Sequence, residues 1–214
     1  MVFPVIAWLM AVMAGMAFLI NYESRAGQVG NVPDIWPPSA GLEHRPDTPH
    51  LLMFVHPRCP CSRASIEELS RLIAICKDRV STRVVVLRPD HMDATWTQTD
   101  LVASAQQIPG VDVVFDHDGH QARCFGVSTS GHSLLYATDD NLIFSGGITA
   151  SRGHAGDNPG SHSIVSLVCP EIPGPLLNSA ALDSTGAESV TSSTCVFGCP
   201  LFEHQVIHQT ESAR

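Results

Sequence analysis

The chain has 214 residues, 44% of them hydrophobic and only 15% charged, with a formal net charge of −9. That is enough apolar material for one good-sized core and some extra segments. With one lysine (Lys77) and no basic run, it lacks the electrostatic footprint of a nucleic-acid-binding protein. Seven cysteines are many for this length yet too few for a small disulfide scaffold, and the odd count leaves at least one free or paired elsewhere. Cys59/Cys61 and Cys195/Cys199 form close pairs, while Cys76, Cys124 and Cys169 stand alone.

Val2 to Ile20 is uncharged and mostly apolar. As a helix it rises roughly 28 Å, close to the thickness of a hydrocarbon core of about 30 Å. No Lys or Arg precedes it and no small-x-small site ends it, so residues 1–21 read as an uncleaved transmembrane anchor rather than a signal peptide. The flanking charges nearly cancel and leave the orientation open. The cysteine chemistry places the body on the oxidising, periplasmic or extracytoplasmic side. Residues 22–49, rich in Pro, Gly and polar residues, are expected to be a spacer, with Trp36 at the membrane interface.

Leu51 to Val55 is a continuous apolar run, the pattern of a strand buried on both faces. After His56-Pro57-Arg58-Cys59-Pro60-Cys61-Ser62, a helix is predicted from Leu69, Leu72, Ile73 and Cys76 at i, i+3, i+4 and i+7. Strands are predicted at 84–87 and 111–115, with a weaker helix over 93–107. A hairpin of 133–136 with 142–144 turns at Asp139-Asp140-Asn141. A last helix runs to about Val168, with Asn158 as N-cap and Pro159 at its first position. This order specifies an α/β domain over 50–170: a mixed central sheet flanked by helices, parallel first and antiparallel last. Residues 171–194, small and polar, read as a linker to a tail, 195–214.

Cys59 falls at a strand-to-helix junction. A thiol is nucleophilic as the thiolate, and unpaired N–H groups at a helix start stabilise that charge. Pro60 suits the first helical position, and His56, Arg58 and Arg63 add positive potential. Cys61 is within reach to resolve a mixed disulfide formed at Cys59. A disulfide across one intervening residue closes a small, strained ring, which predicts a comparatively oxidising couple.

Residues 50–170 resemble the thioredoxin superfamily, especially its extracytoplasmic TlpA/ResA-like branch. The resemblance rests on Phe54-Val55-His56-Pro57-Arg58-Cys59, on Val114-Phe115-Asp116-His117-Asp118-Gly119 with Ala122 and Phe125-Gly126-Val127, and on the two hairpin strands. The strings around Cys59 and Ser145-Gly146-Gly147 also resemble membrane-anchored bacterial RedB-like proteins. The resemblance implies a thioredoxin-like fold and a thiol–disulfide oxidoreductase with catalytic Cys59 and Cys61. Pro57 would lie in its active-site surroundings, together with Ser130, Gly131 and His132. Two departures stand out. The cysteine spacing is one residue short, and Thr129-Ser130-Gly131-His132 occupies the place of the family's cis-proline.

That second departure opens an alternative. Two thiolates and an imidazole suit Cu(I) or Zn(II), and Sco-like copper-handling proteins use two Cys and a His on this fold. Here the set would be Cys59 and Cys61 with His132, or His56 instead. The tail offers a second set, Cys195, Cys199, His204 and His208, although a disulfide between Cys195 and Cys199, or one from the tail back to Cys169 or the body, is equally consistent with the sequence. The redox reading requires no cofactor, and its electrons come from a thiol or disulfide protein partner. Gly146 to Asn158 is glycine-rich but lacks the Gly-Lys-Ser/Thr sequence of a phosphate-binding loop, so no nucleotide is expected. It contains Arg152 and His154, candidates for the border of the site.

Overall fold

Residues Val2–Glu23 form one continuous helix, α1, long and apolar enough to cross a membrane by length and composition. The structure is a computed structural model that describes residues 2–43, 45, 47–171 and 191–202. After α1 come β1 (His50–Val55), α2 (Ser62–Cys76), β2 (Ser81–Arg88), α3 (Asp100–Gln106) and β3 (Val111–His117). Then follow α4 (His120–Cys124), β4 (His132–Tyr136), β5 (Leu142–Gly147), α5 (Pro159–Val168) and β6 (Ser192–Ser193).

All of β1 is buried, as its unbroken apolar run requires. It lies centrally in a six-stranded sheet of order β3-β2-β1-β4-β5-β6. β2 runs parallel to β1 and to β3, whereas β4 is antiparallel to both β1 and β5. The result is a thioredoxin-like mixed sheet with helices on both faces. Because side chains alternate along a strand, Leu51, Met53 and Val55 face one core, with Leu69 and Leu72 of α2 and Ile164 of α5. Leu52 and Phe54 face the other, with Ala122 of α4 and Phe125.

The predicted helix over 93–107 is broken in two: a 3-10 turn, Ala94–Thr97, and then α3. Thr99 stays extended between them because its hydroxyl works in both directions. It accepts from Val102 N at 3.3 Å and donates to the Pro57 carbonyl at 2.9 Å, tying α3 to the turn before Cys59. Asn158 caps α5 as expected, accepting from Ser161 N at 2.8 Å. Helix α4, directly after β3, is not among the predicted elements. The buried Asp116 carboxylate, upstream in β3, accepts from Gln121 N at 2.8 Å and Ala122 N at 2.9 Å and holds its first turn.

Trp36 is 4% exposed and sits in the second core, so it is not at a membrane interface. Around it the 22–49 segment is pinned to the body. Trp36 N donates to Asp140 O at 2.9 Å, Leu142 N to Asp34 O at 2.7 Å, and the Tyr136 hydroxyl to Pro33 O at 2.9 Å. Gly126, with φ +62°, lets this strap pass, since a Cβ there would lie 1.9 Å from Asn31 O. At the other end, Ser192–Ser193 of the stretch expected to be linker pair in parallel with β5.

Candidate active site

The turn after β1 is closed by Cys59 N donating to His56 O at 3.0 Å and Ser62 N donating to Cys59 O at 3.2 Å. Helix α2 starts at Ser62 with Cys61 as its N-cap residue. Pro60 therefore precedes the helix by two residues and is not its first position, because the Cys59 carbonyl takes the Ser62 N–H in a tight turn. Cys59 is 2% exposed and Cys61 half-buried. A cavity of about 330 Å³ reaches Cys59 between Pro57, Arg58 and Pro60 on one side and Thr99 and Leu101 on the other.

A third sulfur completes the site. The Sγ atoms of Cys59, Cys61 and Cys199 all lie within 4.8 Å of one another. Cys199 arrives on the tail, which is laid antiparallel along residues 128–130. Ser130 N donates to Cys199 O at 2.8 Å, Leu201 N donates to Ser128 O at 2.8 Å, and Thr129 bridges Pro200. Val196 and Leu201 are buried anchors on either side. Gly198 permits the approach, since a Cβ there would stand 1.8 Å from Ser130 O. Arg152 clamps the same strand by donating from Nη1 to Gly198 O at 2.6 Å. Its Nε donates to Arg25 O at 3.1 Å, and its guanidinium covers the Tyr22 ring at 5.3 Å. One side chain thus joins the tail to the end of α1.

The Cys59 thiol is held down at about 4, from an ordinary 9.0. The main cause is a hydrogen bond from the Cys199 thiol, with Ser62 and the Cys199 backbone adding to it and burial opposing. The Cys199 backbone N–H lies 3.4 Å from Cys59 Sγ. Burial and the Cys59 charge push Cys61 up, and Arg152 pulls it back. Cys199 is raised chiefly because it donates to Cys59. The expected cationic sources act elsewhere. Arg63 pairs with Asp100 at 3.3 Å, Arg58 stacks over Trp96 at 5.5 Å, and the His56 ring meets Trp96 edge-on. Long exposed side chains found partners on the α3 side of the turn.

Ser130 and Gly131 do border the site. Ser130 Oγ is 2.6 Å from Ser62 Oγ and accepts from His56 N at 2.8 Å, while Gly131 N donates to Phe54 O at 2.7 Å. His132 is not among the convergent metal-ligand atoms. It pairs with Phe54 across β1 and β4, and shares the parity of Leu134 and Tyr136, which pack in the core on the face away from α2. There it is 0% exposed, bonded through Nε2 to Ser145 Oγ at 2.9 Å, and lowered to about 4 by burial, hence neutral. Of the tail set, the structure describes Cys195 and Cys199. Cys199 joins Cys59 and Cys61, Cys195 is exposed and outside that group, and His204 and His208 lie outside the described residues. His154 is exposed and closes a local turn with Arg152 O at 2.8 Å. Cys76 is buried in the core as expected, its thiol pushed up to about 12 by burial and the neighbouring Cys169.

Cys199 was legible as a tail ligand or disulfide partner, but its place against the Cys59 sulfur was not. The one available signal was the Gly198-Cys199 pair, a backbone position free to approach closely followed by a thiol.

No protein-family model matches the chain, and no curated protein matches it. Solved structures do. It is similar to an uncharacterized conserved protein from Geobacillus kaustophilus, at 15% identity and a TM-score of 0.53 over 83% of this chain and 92% of that one. A hypothetical protein from Sinorhizobium meliloti 1021 aligns at 16% identity and a TM-score of 0.51, over 84% and 96% respectively. The exposed lipoprotein thioredoxin of Streptococcus pneumoniae strain TIGR4 aligns at 14% identity and a TM-score of 0.41, over 64% and 98%. The first two are likenesses of fold.

Proposed function

We propose that the protein is a membrane-anchored thiol–disulfide oxidoreductase in which Cys59 attacks, or in reverse releases, a partner's disulfide sulfur. The observation that carries this reading is a thiol held as thiolate at neutral pH with two further thiols within 4.8 Å. A stabilised thiolate is also a good leaving group, which favours the reduced form of Cys59 and makes its disulfide an oxidising one. Helix α1 is the anchor, and the body stands on the extracytoplasmic side, where disulfides persist. Arg152 ties the site to Tyr22 and Arg25 at the end of α1, which suits a thiol or disulfide protein partner at the membrane surface. In detergent, the full chain is expected to catalyse reduction of glutathione disulfide by a dithiol. Cys59→Ser is expected to lower this to the rate of the dithiol alone. Retained turnover in Cys59→Ser would overturn the assignment.

A second reading is favoured by the same cluster. Three thiolates form a soft donor set for Cu(I) or Zn(II) cargo, with Cys199 in the place expected of His132. It predicts about one ion bound per full chain, lost in Cys199→Ala and kept in His132→Ala. Binding unchanged in Cys199→Ala would overturn it.

A further inference from the structure

Resting on the oxidoreductase reading, we infer that Cys199, carried in by the tail, is the thiol that resolves the mixed disulfide at Cys59, so that the catalytic couple is Cys59–Cys199. Three observations converge on it. The tail is seated by backbone pairing of Cys199, Pro200 and Leu201 with Ser130, Thr129 and Ser128, which places the sulfur by main-chain geometry, as an added strand is placed on a sheet edge. The Cys199 backbone N–H and its thiol both address Cys59 Sγ. Gly198 admits the tail, since a Cβ there would stand 1.8 Å from Ser130 O, and Arg152 holds it through the Gly198 carbonyl.

Cys61 is the poorer candidate on geometric grounds. It stands two residues from Cys59 at the N-cap of α2, with helical backbone angles of φ −66° and ψ −31°. A disulfide there closes a very small ring across a rigid turn, whereas Cys199 reaches Cys59 from a separate segment 140 positions along the chain and closes no such small ring.

The steps balance. Cys59 thiolate attacks a partner disulfide, forming one S–S bond, breaking another and releasing the partner's first thiolate. That thiolate takes the proton from Cys199. Cys199, relieved of the negative sulfur to which it was donating, is free to ionise. Its thiolate attacks Cys59 Sγ, closing the Cys59–Cys199 disulfide and expelling the partner's second thiolate, which is protonated by water. The partner gains two electrons and the protein loses two.

The test uses reduced full-length protein in detergent, mixed with glutathione disulfide, acid-quenched over time and mapped by peptide mass. Wild type is expected to show a short-lived glutathione adduct at Cys59 and then a Cys59–Cys199 disulfide. In Cys199→Ser, which keeps a hydrogen-bond donor but no nucleophile, the adduct is expected to live at least about tenfold longer. In Cys61→Ser it is expected to clear as in wild type. Gly198→Ala, which keeps the thiol but forces the tail off Ser130, is expected to prolong the adduct as well. An adduct that clears normally in Cys199→Ser and persists in Cys61→Ser, with a Cys59–Cys61 disulfide mapped, would overturn this inference alone. A wild-type protein that forms no adduct would overturn it together with the oxidoreductase reading.

Discussion

Alkylation of Cys59 by iodoacetamide is expected to keep nearly the same rate from about pH 8 to about pH 5 and to fall by half only near pH 4, where its thiolate is lost. An unperturbed thiol with a pKa of 9.0 would slow about a thousandfold over that span, because its thiolate fraction drops tenfold per pH unit. The shape of the profile is the readout, not the rate at one pH. At neutral pH the thiolate fraction of Cys59 exceeds that of an ordinary thiol about a hundredfold. Its lower basicity removes a comparable factor of intrinsic nucleophilicity. The cause is testable with the same measurement. Cys199→Ala removes the principal donor and is expected to move the inflection upward, whereas Cys199→Ser retains a donor and is expected to move it less. Arg63→Ala, whose partner is Asp100, is expected to leave it in place. A wild-type rate at Cys59 that fell tenfold per unit below pH 8 would show that the thiol is not held ionised.

Replacement of Trp36 by Ala is expected to cost about 3–5 kcal/mol in denaturant unfolding, the range for emptying a buried aromatic position. The indole meets Phe125 at 5.0 Å, Tyr136 at 5.2 Å and His50 at 5.5 Å, each edge-on. Such ring pairs contribute about 0.5–1.5 kcal/mol beyond area burial. The neighbouring Ile35 is 63% exposed, and Ile35→Ala is expected to stay within about 0.5 kcal/mol. The contrast separates a strap locked into the core from one that merely lies on it. A loss below about 1 kcal/mol at Trp36 would mean the segment is held by its backbone bonds alone.

Much of the body was readable because the deciding interactions are local. Leu51–Val55 is apolar at every position, so only a doubly covered strand can hold it. Leu69, Leu72, Ile73 and Cys76 repeat with the period of a helix face, and all four are buried on α2. Asn158 and Pro159 carry the chemistry of a helix start within three residues of chain. The same locality placed Cys59 at the end of a strand and just ahead of a helix, which is where the structure has it.

The rest depended on distant residues. Trp36 sits in a stretch whose composition reads as a spacer, and its burial follows from three aromatic rings up to 100 positions away. His132 could be given a parity along its strand, but not a side of the sheet. Only the register that sets it opposite Phe54 and Leu134 opposite Leu52 turns it from the thiols. Arg58 and Arg63 were close to Cys59 in sequence, yet long charged side chains go where partners are, and the partners belong to α3 and the turn before it. Cys199 is the extreme case. Sequence determined that the chain has a thiol at a strand–helix junction; tertiary structure decided which sulfur stands against it. That choice rests on backbone hydrogen bonds between the tail and residues 128–130, and such bonds leave no side-chain signature in sequence.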